Sequence, residues 1–284
     1  MDIKRGGEGI KKNILVVNDD GIEALGIRKL AEALYEAGDV YICAPPGQQS
    51  ASGHAITIRR QVNIRDFPFE GAKQAIAMEG TPADCVKIGL EVYRGRGIEM
   101  DMVFSGFNHG PNLGTDTLYS GTVSAAIEGG MCGLPSAAMS ISANYSFHRT
   151  PEHYETAMEL AKKIARSELF SRRVDKDPKA VGISFIQKSH VILNVNIPDK
   201  PPGEIKELRI CPLSYQAYIE WFQEKIDDEG RLSYHYSGIP RAVGEAGADE
   251  SDIIANALGY ATITPLHFDF TNHRMIEVLR REWG

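Results

Sequence analysis

The sequence predicts an α/β protein, with a mainly parallel sheet flanked by helices and a C-terminal extension made of a β-hairpin and a helix. Three observations predict it. Short aliphatic runs recur, and they are apolar on both faces, as strands buried in a parallel sheet must be. Segments of helical period alternate with them. Beyond Pro198 the texture changes to polar, widely spaced strands around an acidic turn.

The first run is Asn13–Asn18, NILVVN, which ends in Asp19-Asp20-Gly21. In Gly26–Glu36 the residues Ile27, Leu30, Ala31 and Leu34 recur at helical spacing, and Gly38 stops the pattern. Val40–Ala44 is the next strand, broken by Pro45-Pro46-Gly47, so the segment reads as a right-handed βαβ unit. The loop GQQSASGH follows, then alternating residues that predict strands around Ala55–Ile64. Thr81–Leu90 reads as a helix with Pro82 in its first turn.

Met100–Ser105 is another buried strand, and it feeds the Gly- and Asn-rich loop GFNHGPNLGTDTLYSG. A helix over Thr122–Gly129, a strand over Ser136–Ser142, a long amphipathic helix over Pro151–Leu169 and a strand over His190–Ile197 complete the core. In the extension, Tyr218–Ile226 and Leu232–Tyr236 flank Asp227-Asp228-Glu229-Gly230 as a long hairpin. Asp252–Leu258 reads as a helix, Tyr260–Pro265 as extended chain, and Asn272–Glu282 as a helix capped by Thr271. The expected organisation is a tail at 1–12, a core at 13–200 carrying the site, and an extension at 201–284 serving assembly.

Composition narrows the function. A chain of 284 residues with 43% hydrophobic and 24% charged residues has the means to bury a core. Its net charge of -7 argues against a nucleic-acid polymer as partner. Four scattered cysteines show no metal or redox spacing. The polar opening MDIKRGGEGIKK carries no apolar signal region, and no stretch has the length and apolarity to span a bilayer, so no membrane partner is expected and the cytoplasm is the expected compartment.

Open α/β sheets bind ligands outside the carboxyl ends of their strands. Three loops converge there: Asn18–Gly21, Gly47–His54 and Gly106–Gly121. Asp19 and Asp20 are the sharpest feature, since adjacent carboxylates repel unless a cation neutralises them. A helix cap and a solvated turn would equally account for the pair taken alone. Ser50 and Asn108 are further oxygen donors on the same edge, and Ser120-Gly121-Thr122 opens a helix suited to an anion.

Neither Cys43–Ile58 nor Ser105–Gly130 contains Lys or Arg. A phosphate bound there would meet a cation, backbone amides and helix dipoles instead of a basic clamp. His54 and His109 are the loop histidines placed to handle a proton.

The segments ILVVNDDGIEALGI, CAPPGQQSASGHAIT, EGTPADCVK, FSGFNHGPNLGTDTLYSGTVSAAIEG, NVNIP and GYATITPL occur in this order, and together they resemble the SurE family of stationary-phase survival nucleotidases. The resemblance implies a Rossmann-like core and hydrolysis of nucleoside 5′- and 3′-monophosphates, with short polyphosphate a further substrate of some members. It implies one divalent ion per subunit, magnesium or manganese, on Asp19, Asp20, Ser50 and Asn108, with Asp19, Asp20 and Asn108 catalytic. Asn18, Gly53, His54, Gly106, His109, Ser120, Gly121 and Thr122 would line the phosphate pocket. It also implies a homodimer or homotetramer formed through the C-terminal extension. The segment Glu250-Ser251-Asp252 departs from the family's usual Gly-Thr-Asp, and the hairpin beyond Ile219 matches poorly.

The rivals are a nucleotide sensor without catalysis and a magnesium-binding receiver domain. A receiver needs a phosphoacceptor Asp at a later central strand, where this chain has Ser105-Gly106 with Asn108 following.

Overall fold

The aliphatic run at the start of the chain becomes a central strand because both of its faces find cover. In β1 (Lys12–Val17) the side chains of Ile14, Leu15, Val16 and Val17 are fully buried. Ile14 and Val16 pack under α1 (Leu25–Leu34), whereas Leu15 and Val17 pack under α2 (Pro82–Gly95). Each such side chain contributes about 1.5–3 kcal/mol when taken out of water. The computed structural model describes residues 11–143, 151–171, 191–219, 222–236, 239–242 and 250–284. The expected tail therefore lies outside the described residues except for its last two.

The remaining elements are β2 (Gly38–Ala44), β3 (Ile64–Asp66), β4 (Gln74–Met78), β5 (Met102–His109), α3 (Gly121–Met131), β6 (Ser136–Ser142), α4 (Glu155–Arg166) and β7 (Ile192–Pro198). They are followed by β8 (Lys206–Ile210), β9 (Gln216–Ile219), β10 (Phe222–Ile226), β11 (Leu232–Tyr236), β12 (Ile239–Ala242), α5 (Asp252–Ala257), β13 (Tyr260–Leu266) and α6 (His273–Trp283).

Among the described residues, nine strands form one sheet in the order β3-β4-β2-β1-β5-β6-β7-β13-β8. The run from β4 to β7 is parallel throughout, and β3 and β13 enter antiparallel. The extension thus supplies two strands, β13 and β8, to the same sheet as the core. Helices α1 and α4 cover one face, and α2 and α3 the other. The order reverses between β1 and β5: the chain builds toward β2 on one side and toward β6 on the other. This is the topological switch point at which such sheets open a crevice.

The hairpin is longer than its sequence pattern suggests. β9 pairs with β12 and β10 with β11, both antiparallel and in a common register, from Gln216↔Ala242 out to Ile226↔Leu232. Among the described residues, no helix is long and apolar enough to cross a membrane.

Several expectations are corrected. The alternation at Ala55–Ile64 does not make strands: the segment is irregular up to β3, and Ile56 and Ile58 are exposed. Thr57 is held instead by Asp84, which accepts from its backbone N–H at 2.9 Å and from its hydroxyl at 2.6 Å. These bonds fix the segment on α2 instead of on a sheet edge. The long helix at Pro151–Leu169 is α4 alone, flanked by 3-10 turns at Pro151–Tyr154 and Glu168–Ser171. The cap of α6 is Asn272, whose side chain accepts from Met275 N at 2.9 Å, and not Thr271. Finally, β5 runs on to His109, because the ladder to β6 resumes after a bulge between Gly106 and Asn108.

Candidate active site

Hydrogen bonds bring three separate parts of the fold onto the Asp19–Asp20 segment at the end of β1. The Asp19 carbonyl accepts from Gln49 N at 2.7 Å, which ties down the Gly47–His54 loop. Asp20 Oδ2 accepts from His109 N at 3.3 Å, which ties down the end of β5. Thr122, in the first turn of α3, donates its backbone N–H to Asp19 Oδ2 at 3.1 Å and its hydroxyl to Oδ1 at 2.7 Å.

Asp19 is only 5% exposed. Burial pushes its carboxyl above the ordinary range against the opposing pull of the Thr122 bonds. Asp20 is less buried. Gly121 is required by close approach: a Cβ there would lie 3.0 Å from Asp19 Oδ2 and 2.9 Å from Ser52 Oγ. Asn18 is fully buried and donates to the Gly21 carbonyl at 2.8 Å, while its Oδ1 makes no hydrogen bond among the described residues.

Asn108 sits on the bulge at the end of β5 and donates from Nδ2 to the Gly110 carbonyl at 2.9 Å. Gly106 makes the bulge possible: its φ is +131°, and a Cβ would come within 2.2 Å of the Met139 carbonyl oxygen. Ser50 lies exposed on the second loop. Gly53 N donates to the Tyr119 carbonyl at 3.0 Å, joining that loop to the residue before Ser120. Ser120 caps α3, accepting from Val123 N at 3.0 Å. The α3 N-terminus expected to face an anion is therefore already partly committed: Thr122 serves Asp19 and Ser120 serves Val123.

The histidines go different ways. His54 Nε2 contacts Glu128 Oε2 at 2.9 Å, and Lys87 Nζ reaches the other oxygen of Glu128 at 2.7 Å. Burial would raise the Glu128 carboxyl, but its bonds to His54 and Lys87 prevail and hold it below its ordinary range. His109 Nε2 lies 2.5 Å from the hydroxyl of the buried Tyr154.

The donor chemistry fits a hard divalent cation. The edge presents two adjacent carboxylates with hydroxyl and amide oxygens, and Lys87, which shares Glu128 with His54, is paired with that carboxylate. Among the described residues no three His, Cys, Asp or Glu side chains form a metal cluster, so any ion here relies on neutral oxygens beside the two aspartates. A cleft of about 540 Å³ at the β8–β13 edge, lined by Ile210–Leu213 and Thr264–His267, is separate from this edge.

Over residues 14–220 the chain matches the family described as Survival protein SurE. The chain belongs to the SurE family. It is 39% identical over 269 residues to the 5′-nucleotidase SurE of Pelotomaculum thermopropionicum, covering 94% of each chain. It is 39% identical to that of Clostridium beijerinckii, covering 93% of this chain and 96% of the relative. The crystal structure of the SurE protein from Aquifex aeolicus superposes with a TM-score of 0.73 at 32% identity, covering 96% of this chain and all of the other.

Several residues around this candidate site carry no clear signal in the sequence. The Ser52 hydroxyl is buried beside Asp19 and makes no hydrogen bond among the described residues. Asp84 and Glu128 brace the second loop, and Tyr154 braces His109. Only Ser52 was within reach of the sequence, as the second serine of the motif that supplied Ser50.

Proposed function

We propose that this protein is a divalent-metal-dependent 5′-nucleotidase, a phosphomonoesterase that releases phosphate from nucleoside monophosphates. The observation that carries the reading is an acidic pair at the switch point, braced by three chain segments and unopposed by basic residues in its loops. The printed activity of the SurE relatives supports it. The 3′-monophosphates and short polyphosphate, the choice of magnesium or manganese, and the cytoplasm as compartment belong to the same proposal.

Asp19, Asp20, Ser50 and Asn108 would hold the cation. When bound, it supplies positive charge to the phosphoryl group and acidifies water. The chain's own residues do the rest. Thr122 fixes Asp19 in one orientation through two hydrogen bonds, and its remaining lone pairs, like those of Asp20, are given to the cation and not to phosphorus. Attack therefore falls to water, in line with the leaving oxygen.

The Ser52 hydroxyl, without a hydrogen bond among the described residues, offers a donor to the phosphoryl oxygens, while the amides of Thr122 and Val123 are taken by Asp19 and Ser120. His54 or His109 returns a proton to the departing alkoxide, each ring oriented by a buried partner, Glu128 or Tyr154.

The test is to strip the protein of metal and measure phosphate release from a panel of nucleotides with magnesium, manganese or neither. Release only with added metal, greatest on monophosphates, is expected. Full activity in excess chelator would overturn the proposal.

A further inference from the structure

Strand β7 reads ILNVNIP, with two amides at alternate positions of an otherwise aliphatic run. Asn194 and Asn196 are 0% and 1% exposed. An amide buried without partners costs roughly 1–3 kcal/mol or more, so amides in a strand core imply something specific to bind.

What they bind is the backbone of Asn112, in the loop that leaves β5. Asn196 Oδ1 accepts from Asn112 N at 2.8 Å, and Asn196 Nδ2 donates to the Asn112 carbonyl at 3.0 Å. One side chain thus offers this residue the donor–acceptor pair that a neighbouring strand would offer. Asn194 Nδ2 donates to the same carbonyl at 2.7 Å. The Asn112 side chain donates to Ser140 Oγ on β6 at 2.7 Å. Two residues on, Gly114 N donates to Asp252 Oδ2 at 2.8 Å, and Asn256 Nδ2 donates to the Asn196 carbonyl at 3.3 Å.

The loop is therefore suspended from β6, β7 and α5. Upstream, Gly110 N donates to the Ile141 carbonyl at 3.0 Å, and Asn108 Nδ2 holds the Gly110 carbonyl. The tether begins where these contacts end, two residues beyond Gly110, the partner of Asn108.

We propose that Asn196 is a positioning residue for this reaction, acting through the Asn112 backbone to hold the Asn108 loop in its binding geometry. The proposal rests on the reading of Asn108 as a metal-site residue. Replacing Asn196 alone by an aliphatic side chain would leave the buried Asn112 N–H without its acceptor. The bidentate reading of one residue's backbone N–H and carbonyl is what an aliphatic side chain cannot supply.

The test uses Asn196→Asp, which keeps volume and the acceptor but loses the donor, and Asn194→Ser, which removes one of the two donors to the same carbonyl. Three quantities are measured on the full chain: amide hydrogen exchange of residues 106–116 without metal, Mn²⁺ affinity by titration, and kcat and KM separately. Faster exchange confined to 106–116 is expected, with Mn²⁺ binding weakened about 10–100-fold and kcat falling more than KM rises. Asn194→Ser should show a smaller change in the same direction. A wild-type protein that binds no Mn²⁺ would remove the functional reading. A wild type that binds it, with both variants matching it in affinity and loop exchange while only global stability falls, would remove the tether alone.

Discussion

Replacing Asp84 should loosen the second active-site loop and shift the acid limb of stability. Asp84 is 3% exposed and closes the capping box of α2, accepting from Thr81 N at 2.9 Å while Asp84 N donates to Thr81 Oγ1 at 3.1 Å. The same carboxylate accepts from Thr57 N and Thr57 Oγ1, at the base of the Gly47–His54 loop. Loss of a cap costs about 1 kcal/mol. Loss of a hydrogen bond to a charged group costs about 1.5–3 kcal/mol, and the two Thr57 bonds are not independent. Asp84→Ala should therefore cost about 3–5 kcal/mol, a large share of the roughly 5–15 kcal/mol that a domain commands.

The pH dependence has a defined sign. Burial would raise the Asp84 carboxyl, but the hydrogen bonds from Thr57 and Thr81 prevail and hold it below its unperturbed value of 3.8. The native state thus binds this proton less readily than the unfolded chain. The stabilisation is full above that value and is lost as pH falls through the folded-state pKa. Urea unfolding at pH 7 and at steps below pH 5 measures it. Asp84→Asn should be less stable at neutral pH and show a shallower acid decline than wild type. Equal neutral stability and an identical acid slope would refute the reasoning.

Asn108→Ala should weaken Mn²⁺ affinity about tenfold or more through loss of an oxygen donor, read by titration, with unfolding nearly unchanged. Asn112→Ala should instead lower stability by about 1–3 kcal/mol, because it leaves Ser140 Oγ without its donor. Deleting 218–236 should release monomers from an oligomer in sedimentation, since the hairpin leaves Phe222, Ile226, Leu232 and Tyr234 more than half exposed. An intact protein that is already monomeric would refute that assembly. Hydrolysis of an isotopically chiral phosphate should invert configuration at phosphorus; retention would mean a phospho-enzyme.

The parallel core was legible because its strands declare themselves locally: Ile14–Val17 and Ile192–Ile197 have apolar partners on both sides, and sequence records that. The Asp19–Asp20 pair was legible for the same reason, as a local anomaly at a strand end. Long-range contacts left no such trace. The alternation at Ala55–Ile64 looks like a strand, yet Asp84 captures Thr57 and the pattern goes unused. Gly106 and Asn108 look like turn residues, yet the ladder to β6 continues through them. Asn112 looked like an ordinary loop residue beside Asn108, and the structure makes it the anchor of the loop. Asn194 and Asn196 were the one available signal, as two amides inside an aliphatic strand.

On the proposed function, Asp19 and Asp20 hold a divalent cation that turnover requires. Calorimetric titration of the metal-free protein with Mn²⁺, run in parallel on wild type, Asp19→Asn and Asp20→Asn with the fold of each verified by circular dichroism, tests it most directly. One site per subunit is expected in the wild type, with loss of that site in both folded variants and loss of nucleotidase turnover with it. Wild-type affinity or wild-type turnover in either folded variant would contradict it.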